Sequence, residues 1–152
     1  MKFKRIFLII TCIAYSGETP YVIIVSFDGF RFDYAEKVET PNLDYLRDNG
    51  IKAESLIPVF PSLTFPNHYS IATGCYSETH KITGNNFYSK EFGEKYSYRD
   101  SYKVRDAKFY DCEPIWSTAE RQNVSTAAYF WVGSEAEVKG FYPSIYKNLD
   151  KK

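Results

Sequence analysis

No sign of charge predominates in this chain. Its 152 residues carry 19 Lys and Arg against 19 Asp and Glu. That balance removes the bulk attraction a basic protein has for a nucleic-acid polymer. Long apolar runs are absent after the first residues, so no membrane span is expected beyond that opening segment. Internal repeats, low-complexity tracts and linkers are also lacking, which excludes solenoid and disordered classes. Cysteine is scarce, at three residues. What remains is a globular composition long enough for one domain with a sizeable core. It is rich in aromatics, with 14 Tyr and 12 Phe. Such rings pack cores, and they also make good walls for a planar ligand.

The opening segment is of a different kind. Lys2, Lys4 and Arg5 precede an apolar stretch from Ile6 to Ala14 interrupted by Thr11, and Ala14 and Ser16 supply small residues before Gly17. Residues 1–16 therefore read as a secretory signal peptide, with residues 17–152 as the mature chain. The stretch is about half of the ~20 residues a spanning helix needs. Secretion with cleavage is the expectation, with anchoring through an uncleaved segment as its alternative. Cys12 leaves with the signal, so Cys75 and Cys112 remain. In an oxidising compartment the pair either bridges, with a stabilisation of roughly 4 kcal/mol, or stays as two buried thiols. Asn123-Val124-Ser125 is a glycosylation sequon open to a secreted chain.

Hydropathy and punctuation then predict an α/β fold with a mainly parallel sheet flanked by helices. Tyr21 to Phe27 is a nearly continuous β-branched and aromatic run, expected as a strand buried on both faces. Thr40-Pro41 opens a helix that Gly50 is expected to stop in the left-handed conformation. Ile51 to Ile57 alternates as a second strand. A helix from Thr64 ends near Gly74, residues 81–105 form a polar and aromatic excursion, a helix covers Pro114 to Gln122, and Ser125 to Trp131 is a third strand.

Three residues stand where chemistry is expected. Asp28 closes the first strand, where α/β proteins bind ligands, and offers a hard oxygen to a divalent ion. Thr64 begins a helix whose first amides attract an anion; a metal can activate its hydroxyl, although Thr is also a common N-cap. Asn85, after Gly84, has an amide able to donate to a phosphate oxygen, or simply makes a turn.

Val25-Ser26-Phe27-Asp28-Gly29-Phe30-Arg31, Thr40-Pro41-Asn42-Leu43, Thr64-Phe65-Pro66-Asn67-His68, Thr73-Gly74, Glu78 with His80, Gly84-Asn85, Glu113-Pro114-Ile115-Trp116 and Phe130-Trp131 with Gly133-Ser134 occur in that order. In this the chain resembles the ecto-nucleotide pyrophosphatase/phosphodiesterase family of the alkaline phosphatase superfamily, from about Tyr21 to Tyr146. The resemblance implies that Asp28 is a zinc ligand and that Thr64 is a nucleophile that forms a phosphothreonine and also touches zinc. It implies that Asn85 holds a phosphate oxygen and that Phe65 stacks on a nucleotide base. The implied reaction is a two-step displacement at phosphorus with two Zn2+ ions, the second step by zinc-activated water. The substrate would be a nucleotide or another small phosphodiester.

The family's remaining zinc ligands, two Asp-and-His groups and a last His, come from the part of the domain that follows this stretch. The chain is accordingly expected to be the amino-terminal part of a catalytic domain, incomplete as an alkaline phosphatase-like fold, with impaired activity alone and an exposed sheet edge. Neither of its two histidines matches a family metal ligand: His68 reads as structural, His80 as a turn residue. Leu63 and Lys81 stand where relatives carry a polar residue and Gly. Leu149 falls at the second base-stacking aromatic, with Tyr146 nearby. Choline phosphodiesters and lysophospholipids are therefore alternative substrates, and a non-catalytic secreted fragment that binds a ligand or partner is an alternative function.

Overall fold

The computed structural model describes residues 21–148. The signal segment at 1–16, Cys12 and Leu149 lie outside the described residues. In chain order the elements are helix α1 (Pro41–Asn49), α2 (Thr64–Thr73), α3 (Ser77–His80), strands β1 (Asn86–Ser89) and β2 (Glu94–Ser97), α4 (Ser101–Val104), α5 (Ile115–Arg121), β3 (Ala127–Tyr129) and β4 (Ile145–Lys147). β1 and β2 form an antiparallel hairpin, whereas β3 and β4 pair in parallel. The class is α/β.

Two expected strands take another form. Residues 21–27 and 51–57 join no ladder among the described residues. Their side chains are exposed, Val22 at 78% and Ile51 at 100%. Apolar patterning states what a segment would bury, but a strand exists only against a neighbour. The third strand is real but shorter than expected, and its partner is β4. Within residues 81–105 the excursion resolves into the β1–β2 hairpin and α4, closed by Gly93 at φ +66°.

The helices follow their punctuation with one exception. Pro41 stands at the start of α1. Gly74 ends α2 in the left-handed conformation at φ 69°, its N–H donating to the Ser70 carbonyl at 2.8 Å. Gly50, by contrast, is not left-handed, with φ −133°. Glycine fits there because a Cβ would come within 2.8 Å of the Leu46 carbonyl oxygen.

The core is aromatic and sits between α2, the hairpin and α5. Tyr69, Tyr96, Phe109, Tyr110 and Trp116 are buried with Ile82, Val104 and Val138. Across the hairpin, Phe87 opposes Tyr96 and their rings stack at 4.8 Å. Tyr110 donates to the Val104 carbonyl at 3.0 Å, so Tyr96 donates to the Tyr110 oxygen at 2.8 Å. Burial pushes all three phenols, including Tyr69, above their ordinary pKa. His80 is not a turn residue: it ends α3 and is fully buried. Its Nδ1 accepts from the Ile82 N–H at 3.1 Å, so its proton is on Nε2, 2.9 Å from Ser70 Oγ. Burial lowers its pKa and holds the ring neutral.

Two links tie the periphery to this core. Cys75 Sγ and Cys112 Sγ are bonded, 2.12 Å apart and 37 residues apart in sequence. Gly133, at φ +86°, lies so close to α2 that a Cβ would sit 2.7 Å from Tyr69 Cε2.

Glu120 fastens α5 to both strands of the parallel pair. Its carboxylate accepts from Thr126 N–H at 2.7 Å and Oγ1 at 2.6 Å, and from Ser144 N–H at 2.8 Å and Oγ at 2.7 Å. Thr126 first, and then Ser144, hold its pKa down at about 2. Because the folded value lies below the unfolded one, this stabilisation is present above the ordinary pKa of 4.5 and is lost as pH falls towards about 2. We expect Glu120→Ala to cost about 2 kcal/mol at neutral pH, from donors left without their charged acceptor. The gap between variant and parent should narrow as pH falls below 4.5 and close towards about pH 2, as read by urea denaturation at each pH. A gap independent of pH would show that the carboxylate charge is not what matters.

Candidate active site

Thr64 is the first residue of α2, not the cap before it. Leu63 holds that place in an extended conformation, φ −112° and ψ 158°, with no side-chain capping bond. The N-cap reading of Thr64 is thereby overturned. Its hydroxyl instead donates to Asp28 Oδ2 at 3.1 Å. What shapes the turn before it is Asn67, one helical turn further on. Asn67 Nδ2 donates to the carbonyls of Leu63 at 2.9 Å and Pro61 at 3.1 Å, while its Oδ1 accepts from the Val59 N–H at 2.7 Å. Pro66 has no N–H to satisfy and suits the first turn.

Asn85 meets the same helix end from the other side. Its Oδ1 accepts from the Phe65 N–H at 3.0 Å. This bond identifies the oxygen end of the carboxamide and leaves the NH2 end as a donor. The structure thus brings Asp28, Thr64 and Asn85 together across 57 residues of sequence, Asp28 through a direct bond to Thr64 and Asn85 through its neighbour.

Two clefts share Ser26, Asp28, Thr64 and His68 on their walls. One is lined by the backbone turn at Gly29 and the loop Ser55–Val59. The other is aromatic, with Phe65, Tyr98, Phe130 and Trp131 beside Arg99. Phe65 is half-buried: it packs on the core and stands 5.6 Å from the Tyr98 ring. The Arg99 guanidinium lies 5.3 Å from the Tyr98 centroid. Tyr98 and Arg99 were not singled out from sequence. The signal was there in the aromatic density of residues 87–98, but nothing local says which rings turn outward.

His68 is also part of this wall. Its Nδ1 donates to the Thr64 carbonyl at 2.8 Å, which can only accept, and its Nε2 lies 2.9 Å from Ser26 Oγ. The Trp131 indole N–H donates to the His68 carbonyl at 3.0 Å.

Asp28 Oδ2 and Thr64 Oγ1 are two hard oxygens suited to a divalent cation. Among the described residues no group of three or more His, Cys, Asp and Glu side chains converges for a metal. The residues present thus fit part of a zinc coordination sphere, which takes about four ligands.

This α/β unit, with a carboxylate bonded to a helix-start hydroxyl and a carboxamide on the next amide, has an alkaline phosphatase-like fold that it shares with solved proteins. Murine ectonucleotide pyrophosphatase / phosphodiesterase 5 superposes with a TM-score of 0.77 at 33% identity, over 82% of this chain and 34% of that one. An inactive variant of that murine protein, with a threonine replaced by alanine and solved in complex with AMP, superposes equally, TM-score 0.77 at 32% identity over 82% and 33% of the two chains. This chain belongs to the Type I phosphodiesterase / nucleotide pyrophosphatase family, which it matches over residues 22–152. Its relatives include a venom phosphodiesterase of Naja atra, 42% identical over 132 residues, covering 86% of this chain and 16% of that protein. An uncharacterized pyrophosphatase/phosphodiesterase of Schizosaccharomyces pombe is 44% identical over 124 residues, covering 81% and 26%. The chain thus spans about a sixth to a quarter of the length of these curated relatives.

Proposed function

We propose that this chain carries the nucleophile-bearing part of a zinc-dependent phosphodiesterase that hydrolyses phosphodiester and pyrophosphate bonds of extracellular nucleotides. The observation that carries the reading is the hydrogen bond from Thr64 to Asp28 at the opening of α2, beside Asn85. The Thr64 oxygen forms a bond to phosphorus as the bond to the leaving oxygen breaks, giving a phosphothreonine that water then hydrolyses. Asn85 donates through its NH2 end to a non-bridging oxygen as negative charge builds there. Phe65 and Tyr98 form the wall against which a base stacks. Asp28 and Thr64 would hold part of the zinc site, and zinc bound there would supply positive charge that favours the alkoxide and offsets the phosphate. One relative supports the choice of both substrate and nucleophile: the murine protein solved with AMP is described as inactive with a threonine replaced by alanine.

Secretion after cleavage of residues 1–16 is part of the same proposal, with retention through that segment as the alternative. No helix among the described residues is long and apolar enough to cross a membrane. Listing to the same side, the relatives' names include an ectonucleotide enzyme and venom enzymes. The Cys75–Cys112 bridge suits an oxidising compartment. Asn123, exposed in the turn after α5, is the proposed glycan acceptor.

The test is hydrolysis of the p-nitrophenyl ester of thymidine 5′-phosphate by the 152-residue chain, with and without a chelator, alongside its zinc content. Two oxygens make an incomplete zinc site, so we expect weak or absent turnover that the chelator removes. Fast turnover, sensitive to chelator, would overturn the impairment. Turnover indifferent to chelator would overturn the metal.

A further inference from the structure

The segment that carries Asp28 is held to α2 at two points. Residues 21–28 belong to no strand ladder and are exposed. One attachment is the Thr64–Asp28 hydrogen bond itself. The other is the contact between Ser26 Oγ and His68 Nε2 at 2.9 Å. The chemistry of His68 is set by its own helix: Nδ1–H is committed to the Thr64 carbonyl at 2.8 Å, so in the neutral ring Nε2 is an acceptor and Ser26 donates to it. The ring is braced from behind as well. Trp131 lies edge-to-face at 5.7 Å, and its indole N–H fixes the His68 carbonyl at 3.0 Å. A side chain one turn below Thr64 therefore reaches both the residue that bears the hydroxyl and the segment that bears the carboxylate.

We propose that His68 and Ser26 are positioning residues that hold Asp28 against Thr64. The bond fixes the approach of the 26–28 segment to the helix start, so the carboxylate lies within reach of the hydroxyl before a substrate arrives. This inference rests on Thr64 and Asp28 acting as a pair in the proposed reaction. Its physical content, the placement of Asp28, is independent of turnover. The interaction also predicts coupling: once His68 is gone, the Ser26 hydroxyl has nothing left to donate to there, and its removal should have no further effect.

The experiment uses the whole chain and five variants: Ser26→Ala, Ser26→Thr, His68→Ala, the Ser26→Ala/His68→Ala double variant and, for turnover alone, Thr64→Ala. Placement is read by NMR as nuclear Overhauser contacts between the Asp28 Cβ protons and the Thr64 side chain. Turnover of the p-nitrophenyl phosphodiester is read beside it. We expect the Asp28–Thr64 contact to fall by half or more in Ser26→Ala and His68→Ala, to persist in Ser26→Thr, and to fall no further in the double variant. Where turnover is measurable, kcat should drop about tenfold with little change in KM, the signature of a misplaced group rather than lost binding. Ser26 is exposed, so Ser26→Ala gives a folded test even where His68→Ala does not fold. An unchanged Asp28–Thr64 contact in Ser26→Ala overturns the proposal. Turnover that Thr64→Ala leaves untouched overturns the threonine-nucleophile reading instead, while the NMR contact still decides the positioning role.

Discussion

Thr64→Ala is expected to abolish whatever phosphodiester hydrolysis the chain shows, a loss on the order of 10^3-fold or more where the zinc site is complete, while leaving the fold intact. Removal of an attacking oxygen leaves only binding and charge stabilisation to accelerate the reaction. The fold should be indifferent because the Thr64 hydroxyl caps nothing; its bond is to Asp28. A true N-cap threonine would cost about 1 kcal/mol on truncation. The two roles therefore predict opposite pairs of results: lost turnover with unchanged stability, or lowered stability with turnover retained. Thr64→Ser, which keeps an oxygen at the same place, should remain within about tenfold of the parent. The measurements are single-turnover release of p-nitrophenol, the mass of the peptide that contains residue 64 after quenching, and urea denaturation. A phosphorylated peptide in the parent and none in Thr64→Ala is the expected pattern. Equal turnover in both would remove Thr64 from the mechanism.

The second large effect concerns the bridge. Replacing Cys75 and Cys112 together by Ser is expected to destabilise the chain by about 4 kcal/mol, roughly a thousandfold in the folding equilibrium. The bridge closes a loop of 37 residues, and that loop contains the hairpin, α4 and much of the aromatic core. It also fixes the residue after the C-cap of α2, while Tyr69 from the same helix donates to the Cys112 carbonyl at 3.2 Å. Chemical denaturation of the parent with and without a reducing agent should reproduce the difference. A parent whose stability ignores the reductant would mean that the loop is already constrained without the bond.

Much of the candidate site was legible because its signals are local. Pro66 and Gly74 bracket α2, so the position of Thr64 at a helix start could be read from spacing. What spacing left open was whether the residue caps the helix or begins it. That depends on where the hydroxyl finds its partner, and Asp28 is 36 residues away. Asn85 was legible as a donor, but its link to the Phe65 N–H was not, since a carboxamide reads the same in any turn. From sequence His68 reads only as structural, because a lone histidine on a helix does not reveal both of its nitrogens' partners.

The fold was legible by class more than by element. Tyr21 to Phe27 and Ile51 to Ile57 have the composition of buried strands, yet each needs a neighbouring strand that composition cannot name. The hairpin went unread for the opposite reason. Asn86–Ser89 and Glu94–Ser97 are only four residues each, with one large ring apiece committed to the core, Phe87 and Tyr96. Gly93, left-handed at φ +66°, was the available sign of the turn. Gly50 shows how one residue type serves different needs, since there it avoids a backbone oxygen rather than supplying a positive φ.

Gly133 has a consequence for how this cleft can diversify. Two residues after Trp131, it presses against the buried ring of Tyr69, on the helix that begins at Thr64. Any side chain at 133 would have to displace that buried ring, so the rear wall and the helix that begins at Thr64 are mechanically linked. Changes of substrate range are then best made at the aromatic rim, at Tyr98, Arg99 and Phe130. A library that randomised those three positions and left Gly133 fixed would alter what enters the cleft without shifting the oxygen that awaits it.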